Sequence, residues 1–152
     1  MSIFPTKILL ATDGSEEAGL ALEAAVELAT SSQSELHVVA VGGEYHPGTE
    51  IMASPALFEE TLRELEGEAR KRLDEQVKKI EEAGGKVSKA HLRMGGRPDH
   101  EIVGLAEEIG AGLIVMGSRG LGGVRRALMG SVSNSVVRHA HCPVMVVRED
   151  KR

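Results

Sequence analysis

The chain has 152 residues, a formal net charge of −5 and only 2% aromatic residues, with no tryptophan. That composition argues against nucleic acid, because single strands want aromatic stacking platforms and duplexes want a basic face. A lone cysteine, Cys142, excludes an internal disulfide framework and suits a reducing cytoplasm. No leader-like pattern opens the sequence and no apolar run approaches the length of a membrane span. The expectation is one cytoplasmic domain over residues 1–152, with no membrane and no nucleic-acid partner.

Along the chain, Lys7-Ile8-Leu9-Leu10-Ala11 reads as a buried strand, since strands covered on both faces are continuously apolar. Thr12-Asp13-Gly14-Ser15 ends it, and Ser15 is a good helix cap before Glu16 and Glu17. Ala18, Leu22, Ala25 or Val26, and Ala29 mark one helix face, which fades in the serines from Ser31 to Ser34. Leu36 to Val41 reads as a second buried strand, closed by Gly42-Gly43. Residues 43–53 form the least regular stretch and are expected to be a mobile loop. Ser54-Pro55 then caps a long amphipathic helix to Ala83, with Phe58, Leu62, Leu65, Ala69, Leu73, Val77 and Ile80 on one face. At about 1.5 Å per residue it would run roughly 43 Å, so its first turns are expected to project or break. Val87 to Met94 alternates as a half-exposed strand, with Ala90, Leu92 and Met94 opposed to Lys89, His91 and Arg93. Pro98 opens a helix that Gly110 closes. Leu113 to Met116, a glycine loop, a helix from Ser131 to His139 and a strand from Val144 to Val147 complete the chain.

Strands alternating with amphipathic helices predict an α/β fold, an open five-stranded parallel sheet with helices on both faces in the Rossmann-like manner. In such sheets ligands gather beyond the carboxyl ends of the strands, where strand order reverses. The segment from Gly117 to Ser131, G-S-R-G-L-G-G-V-R-R-A-L-M-G-S, leaves one such end and enters a helix. Glycines let backbone N–H groups approach an anion, and the positive end of the helix holds it, so the segment reads as a phosphate cradle. It lacks the Walker spacing, and no G-x-G-x-x-G follows the first strand.

What the segment does carry is Gly117-x-x-Gly120, nine residues, then Gly130-Ser131. With this spacing the chain resembles the universal stress protein family, in its ATP-binding branch. Lys7 to Ser15, Ile114 to Gly120, Leu128 to Ser133 and Cys142 to Val147 extend the similarity over nearly the whole chain, most weakly over residues 43–60. The resemblance implies a sheet of the adenine nucleotide alpha hydrolase-like type with strand order 3-2-1-4-5. It also implies a nucleotide-dependent stress-response switch rather than an enzyme, with ATP bound together with Mg²⁺ or Mn²⁺ through the phosphates. Ala11 and Thr12 would line the adenosine pocket and Val41 would meet adenine through its backbone; Met116 reads most simply as core, although its position beside Gly117 would let it touch the ligand. Asp13 would face the ribose or the metal. Gly117, Ser118, Arg119 and Gly120 would wrap ribose and phosphates, with Gly122 and Gly123 nearby. Gly130, Ser131, Val132 and Ser133 would offer N–H and hydroxyl donors to the outer phosphates. Ala11 departs from the proline frequent in relatives, which alters no polar contact.

Other readings of these residues stay open. Asp13 also suits helix initiation, and Ser131 and Ser133 also suit capping. Slow metal-dependent ATP hydrolysis, self-phosphorylation on Ser131 or Ser133, and an interaction module without nucleotide are the competing functions. Arg125 and Arg126 read as solvated charges, His139 and His141 as surface residues, and Cys142 as a small buried hydrophobe. Val144 to Val147 is apolar on both faces, so as a sheet edge it invites pairing with a second copy. The resemblance likewise implies a homodimer through this strand.

Overall fold

The computed structural model describes residues 2–12, 16–43, 54–118 and 130–149. Among these residues the elements run β1 (Lys7–Thr12), α1 (Glu16–Ser32), β2 (Glu35–Gly42), α2 (Pro55–Glu82), β3 (Val87–Met94), α3 (Pro98–Ile109), β4 (Leu113–Gly117), α4 (Ser131–His139) and β5 (Val144–Val147). The expectations for the Ser15 cap, for the loop from 44 to 53 and for the glycine loop from 119 to 129 fall outside the described residues.

The strands form one sheet in the order β3-β2-β1-β4-β5, every neighbouring pair parallel. Each inner strand is covered on both faces, which is why its sequence is apolar without a break. Ile8, Leu10, Val38 and Val115 face α1 and α2, packing on Ala21, Ala25, Leu73 and Ile80. Leu9, Val39, Ile114 and Met116 face the other way, against Ile102, Leu105 and Ala106 of α3 and Val136 of α4. Fully burying one such aliphatic side chain contributes roughly 1.5–3 kcal/mol, so the two layers supply the driving force for the sandwich.

Helix α2 is unbroken, and its buried residues begin only at Ala69. Its first turns project, with Leu57 and Leu62 exposed. The Ser54 hydroxyl caps it by accepting the Leu57 N–H at 3.2 Å. Where α2 reaches the sheet, a Cβ on Gly42 would lie 2.5 Å from that of Ala69, so only glycine admits this approach. Helix α3 ends at Gly110, whose φ of 71° and N–H bonds back to Ala106 and Glu107 close the last turn.

One patterning expectation is corrected. In β3, Ala90 is exposed while His91 is buried to 9% exposure, the reverse of apolar-in, polar-out alternation. Both faces of this edge strand meet other residues: Leu92 joins the layer beneath α1 and α2, and His91 lies against His37 of β2.

Candidate functional site

Strand order reverses between β1 and β4, since the chain leaves β1 toward β2 on one side and later returns to its other side. The two strands end level there, Ala11 lying opposite Met116. Both residues are buried, at 7% and 5% exposure, while Thr12 and Val41 are half-buried. Val41 packs on the same layer as Ala11 and Met116, so the three apolar positions expected around an adenosine share one side of the edge.

The residues that flank the glycine segment, Ser118 and Gly130, are tied together. The Ser118 N–H donates to the Val147 carbonyl at 3.0 Å, and the Gly130 N–H donates to the Ser118 carbonyl at 2.6 Å. The Ser133 hydroxyl donates to that same Ser118 carbonyl at 2.5 Å, with the Gly130 carbonyl 3.1 Å away. These bonds set the amino end of α4 directly against the exit of β4. They also divide the donors expected from Gly130 to Ser133. The Ser133 side chain is buried and turned into the protein, whereas Ser131 is exposed.

Among the described residues helix α4 starts bare: Gly130 is its N-cap in extended geometry, no side-chain hydrogen bond caps it, and its first turn holds no acidic residue. Its first internal bond runs from the Asn134 N–H to the Gly130 carbonyl at 3.0 Å. The N–H groups of Ser131, Val132 and Ser133 precede that bond and by helix geometry have no carbonyl within the helix. Arg138 and His139 occupy its last turn and complement the negative end. Donors and dipole together make this end receptive to an anion. Asp13, Arg119, Gly120, Gly122 and Gly123 fall outside the described residues.

Two polar clusters escaped the sequence reading. Asp99, on the first turn of α3, is only 4% exposed and accepts the Ser135 hydroxyl at 2.6 Å and an Arg97 N–H at 3.0 Å. Burial pushes its carboxyl up. The Ser135 bond, the charges of Arg97 and His100 and the His100 backbone N–H outweigh burial and hold the group below the ordinary carboxylate value. The second cluster is the His37–His91 pair, with Nδ1 and Nε2 at 3.1 Å and the rings stacked. Burial lowers both histidines. Lys7 and Lys89 add to this for His37 against Glu35; His37, Lys89 and Arg93 add to it for His91 against Glu108. A histidine inside the apolar run Leu36 to Val41 was the available signal; Asp99 offered none, because an acidic residue is common in any first helical turn. Cys142 is half-buried with its thiol pushed up by burial, which suits an inert thiol. His139 and His141 are exposed, as expected, and His141 lies 2.7 Å from Glu107.

A parallel sheet with a bare helix start beside its strand-order reversal places the molecule among Rossmann-like α/β domains, whose ligands gather at that edge. The chain belongs to the universal stress protein family, whose profile matches residues 5–148. Universal stress protein YxiE of Bacillus subtilis is 40% identical over 147 residues, covering 93% of this chain and 98% of that protein. The solved structure of MJ0577 of Methanocaldococcus jannaschii is similar with a TM-score of 0.80 and 31% identity, covering 98% and 99% of the two chains. An Archaeoglobus fulgidus universal stress protein in complex with dAMP is similar with a TM-score of 0.64 and 26% identity, covering 97% and 100%. A universal stress protein in complex with cAMP has a TM-score of 0.65 and 25% identity, covering 97% and 99%. Among the described residues no helix is long and apolar enough to cross a membrane.

Proposed function

We propose that this chain binds ATP at the carboxyl edge of its sheet and acts in the cytoplasm as a nucleotide-dependent regulator, as a homodimer and not as a catalyst. The observation that carries the reading is the bare amino end of α4, held by Ser118 beside the level ends of β1 and β4. The adenine nucleotides bound by two relatives of the same fold support it. So does the spacing Gly117-x-x-Gly120 to Gly130-Ser131, which suits a ligand with more than one phosphate.

In this reading Ala11, Thr12 and Met116 hold the nucleoside and the Val41 backbone meets adenine. Gly117, Ser118, Arg119 and Gly120, with Gly122 and Gly123, wrap ribose and phosphates. The N–H groups of Ser131, Val132 and Ser133 take the outer phosphates, with Gly130 giving them room and the exposed Ser131 adding its hydroxyl. Mg²⁺ or Mn²⁺ would ride on the phosphates with Asp13 as its protein ligand; hard oxygen donors of this kind suit either ion, which would neutralise phosphate charge. A binder is favoured over self-phosphorylation at Ser133, because that hydroxyl is committed to the Ser118 carbonyl. The proposed dimer contact is β5, which among the described residues pairs only with β4 and exposes Met145.

Calorimetric titration with Mg-ATP tests the reading. One site per chain is expected, with intact nucleotide recovered from the denatured complex by mass spectrometry. No heat at millimolar nucleotide would reject it, and steady phosphate release abolished by Asp13→Ala would establish an enzyme instead. Val146→Lys is expected to give a monomer in sedimentation; an unchanged mass would reject the β5 dimer.

A further inference from the structure

Among the described residues α4 is shallowly buried. Of its nine residues only Ser133 and Val136 are buried, and Val137 is 46% exposed. Ser133 ties the amino end to Ser118, and Val136 sits in the layer formed with Ile102 and Leu105. Val132, partly buried, packs on the same layer, so among the described residues the helix is held mainly by its first two turns and by apolar contacts that fix its tilt weakly. A further anchor is polar and directional: Ser135, two residues beyond Ser133, donates to Asp99 of α3 at 2.6 Å. Asp99 is itself fixed, nearly sealed from solvent and bonded by Arg97 at 3.0 Å. Sealing a carboxylate in this way is costly unless it is fully bonded.

We propose that Asp99 is a positioning residue for phosphate binding: through Ser135 it sets the tilt of α4 and so the direction of the N–H groups of Ser131, Val132 and Ser133. This rests on the ATP-binding reading above. Hydrogen bonds weaken steeply off line, so a rocking helix loses the anion first. A nucleoside held on Ala11, Val41 and Met116 depends on the strands and not on α4. Loss of the tether therefore costs the phosphates and spares the nucleoside, whereas a purely structural bond would lower the melting temperature and leave that ratio alone.

The test is equilibrium binding of Mg-ATP and of adenosine to the wild type, Ser135→Ala, Ser135→Thr and Asp99→Asn, well below their melting temperatures. Ser135→Ala is expected to weaken ATP about tenfold, equivalent to ~1.4 kcal/mol, and adenosine less than about twofold. Ser135→Thr keeps the hydroxyl and Asp99→Asn keeps an accepting oxygen, so both should hold ATP within about threefold of wild type. If Ser135→Ala does not fold, Ser135→Cys, a weak donor of similar size, carries the same expectation. ATP affinity unchanged, or ATP and adenosine weakened alike, would overturn the positioning role. A wild type that binds ATP beside an unaltered variant ratio rejects only this inference; a wild type that binds no ATP rejects the site itself.

Discussion

Helices α3 and α4 both begin at the carboxyl edge of the sheet, yet one start is filled and the other is open. At α3, Pro98 takes the first position, Asp99 and Glu101 occupy the first turn, and the His100 N–H bonds the Asp99 carboxylate. Among the described residues neither start has a side-chain cap at its N-cap position, but at α4 a glycine precedes the helix and no acidic residue lies in its first turn. The dipole and the orphan donors are common to both helices. A start that brings its own anion has nothing left to offer, and one that brings none is open to a ligand. Two short stretches, Arg97-Pro98-Asp99 and Gly130-Ser131-Val132, thus set which helix start is receptive to an anion.

The largest effect is expected from filling the space over the open start. Gly130 has φ −65° and ψ 161°, a conformation any residue adopts. Gly130→Val should therefore leave the melting temperature near wild type while its branched side chain crowds the phosphates. Overpacking of ~2.8 kcal/mol would weaken Mg-ATP by about a hundredfold in calorimetry. Next comes giving α4 the carboxylate that α3 already has. Ser131→Asp puts negative charge on the first turn, which should stabilise the helix by about 0.3–1 kcal/mol. The same charge repels phosphate, so ATP affinity should fall about tenfold, equivalent to ~1.4 kcal/mol. Stability and affinity moving in opposite directions, read by thermal melts and calorimetry, would be the signature; moving together would count against an anion at this end.

The open start was readable because its signals are local. Glycine spacing, a small hydroxyl residue and an apolar run before the loop all lie within Leu113 to Ser133, and Gly130 is hydrogen-bonded to Ser118 across the segment between them. The sheet was readable for a similar reason: Ile8 to Ala11, Leu36 to Val41 and Leu113 to Met116 are buried runs cut by glycine and polar turns. The partner of Asp99 was not readable, since Ser135 lies 36 residues away and meets it only once α3 and α4 pack. His37 and His91, 54 residues apart, likewise become neighbours only through the register of β2 and β3.

A smaller effect distinguishes the two buried polar clusters by pH. Both histidines have folded values below the ordinary 6.5, so the unfolded chain binds protons first as pH falls. Their stabilising contribution is complete above about pH 6.5 and drains away below it. Asp99 lies below the ordinary 3.8, so its contribution persists through that range and is lost only at more acidic pH. Between pH 7 and pH 5 the melting temperature should therefore fall. His37→Gln with His91→Leu should flatten that slope, whereas Asp99→Asn should leave it in place. A slope unchanged in the double variant would remove the histidine pair as its source.

The smallest effect belongs to a third helix start, also filled but far from the core. Ser54 caps α2 by accepting the Leu57 N–H, and Ser54→Ala should cost the local helix about 0.5–1 kcal/mol. Buried contacts of α2 begin only at Ala69, so the first turns can fray without opening the sheet. Hydrogen exchange of the amides after Ser54 should speed up by about fivefold, while the global melting temperature shifts by less than ~1 °C. ATP affinity should not change, because a start that has lost its own cap at the projecting tip of α2 gains no nearby strand reversal. A nucleotide affinity that followed Ser54 would mean that any uncapped helix serves, and the special standing of α4 would be lost.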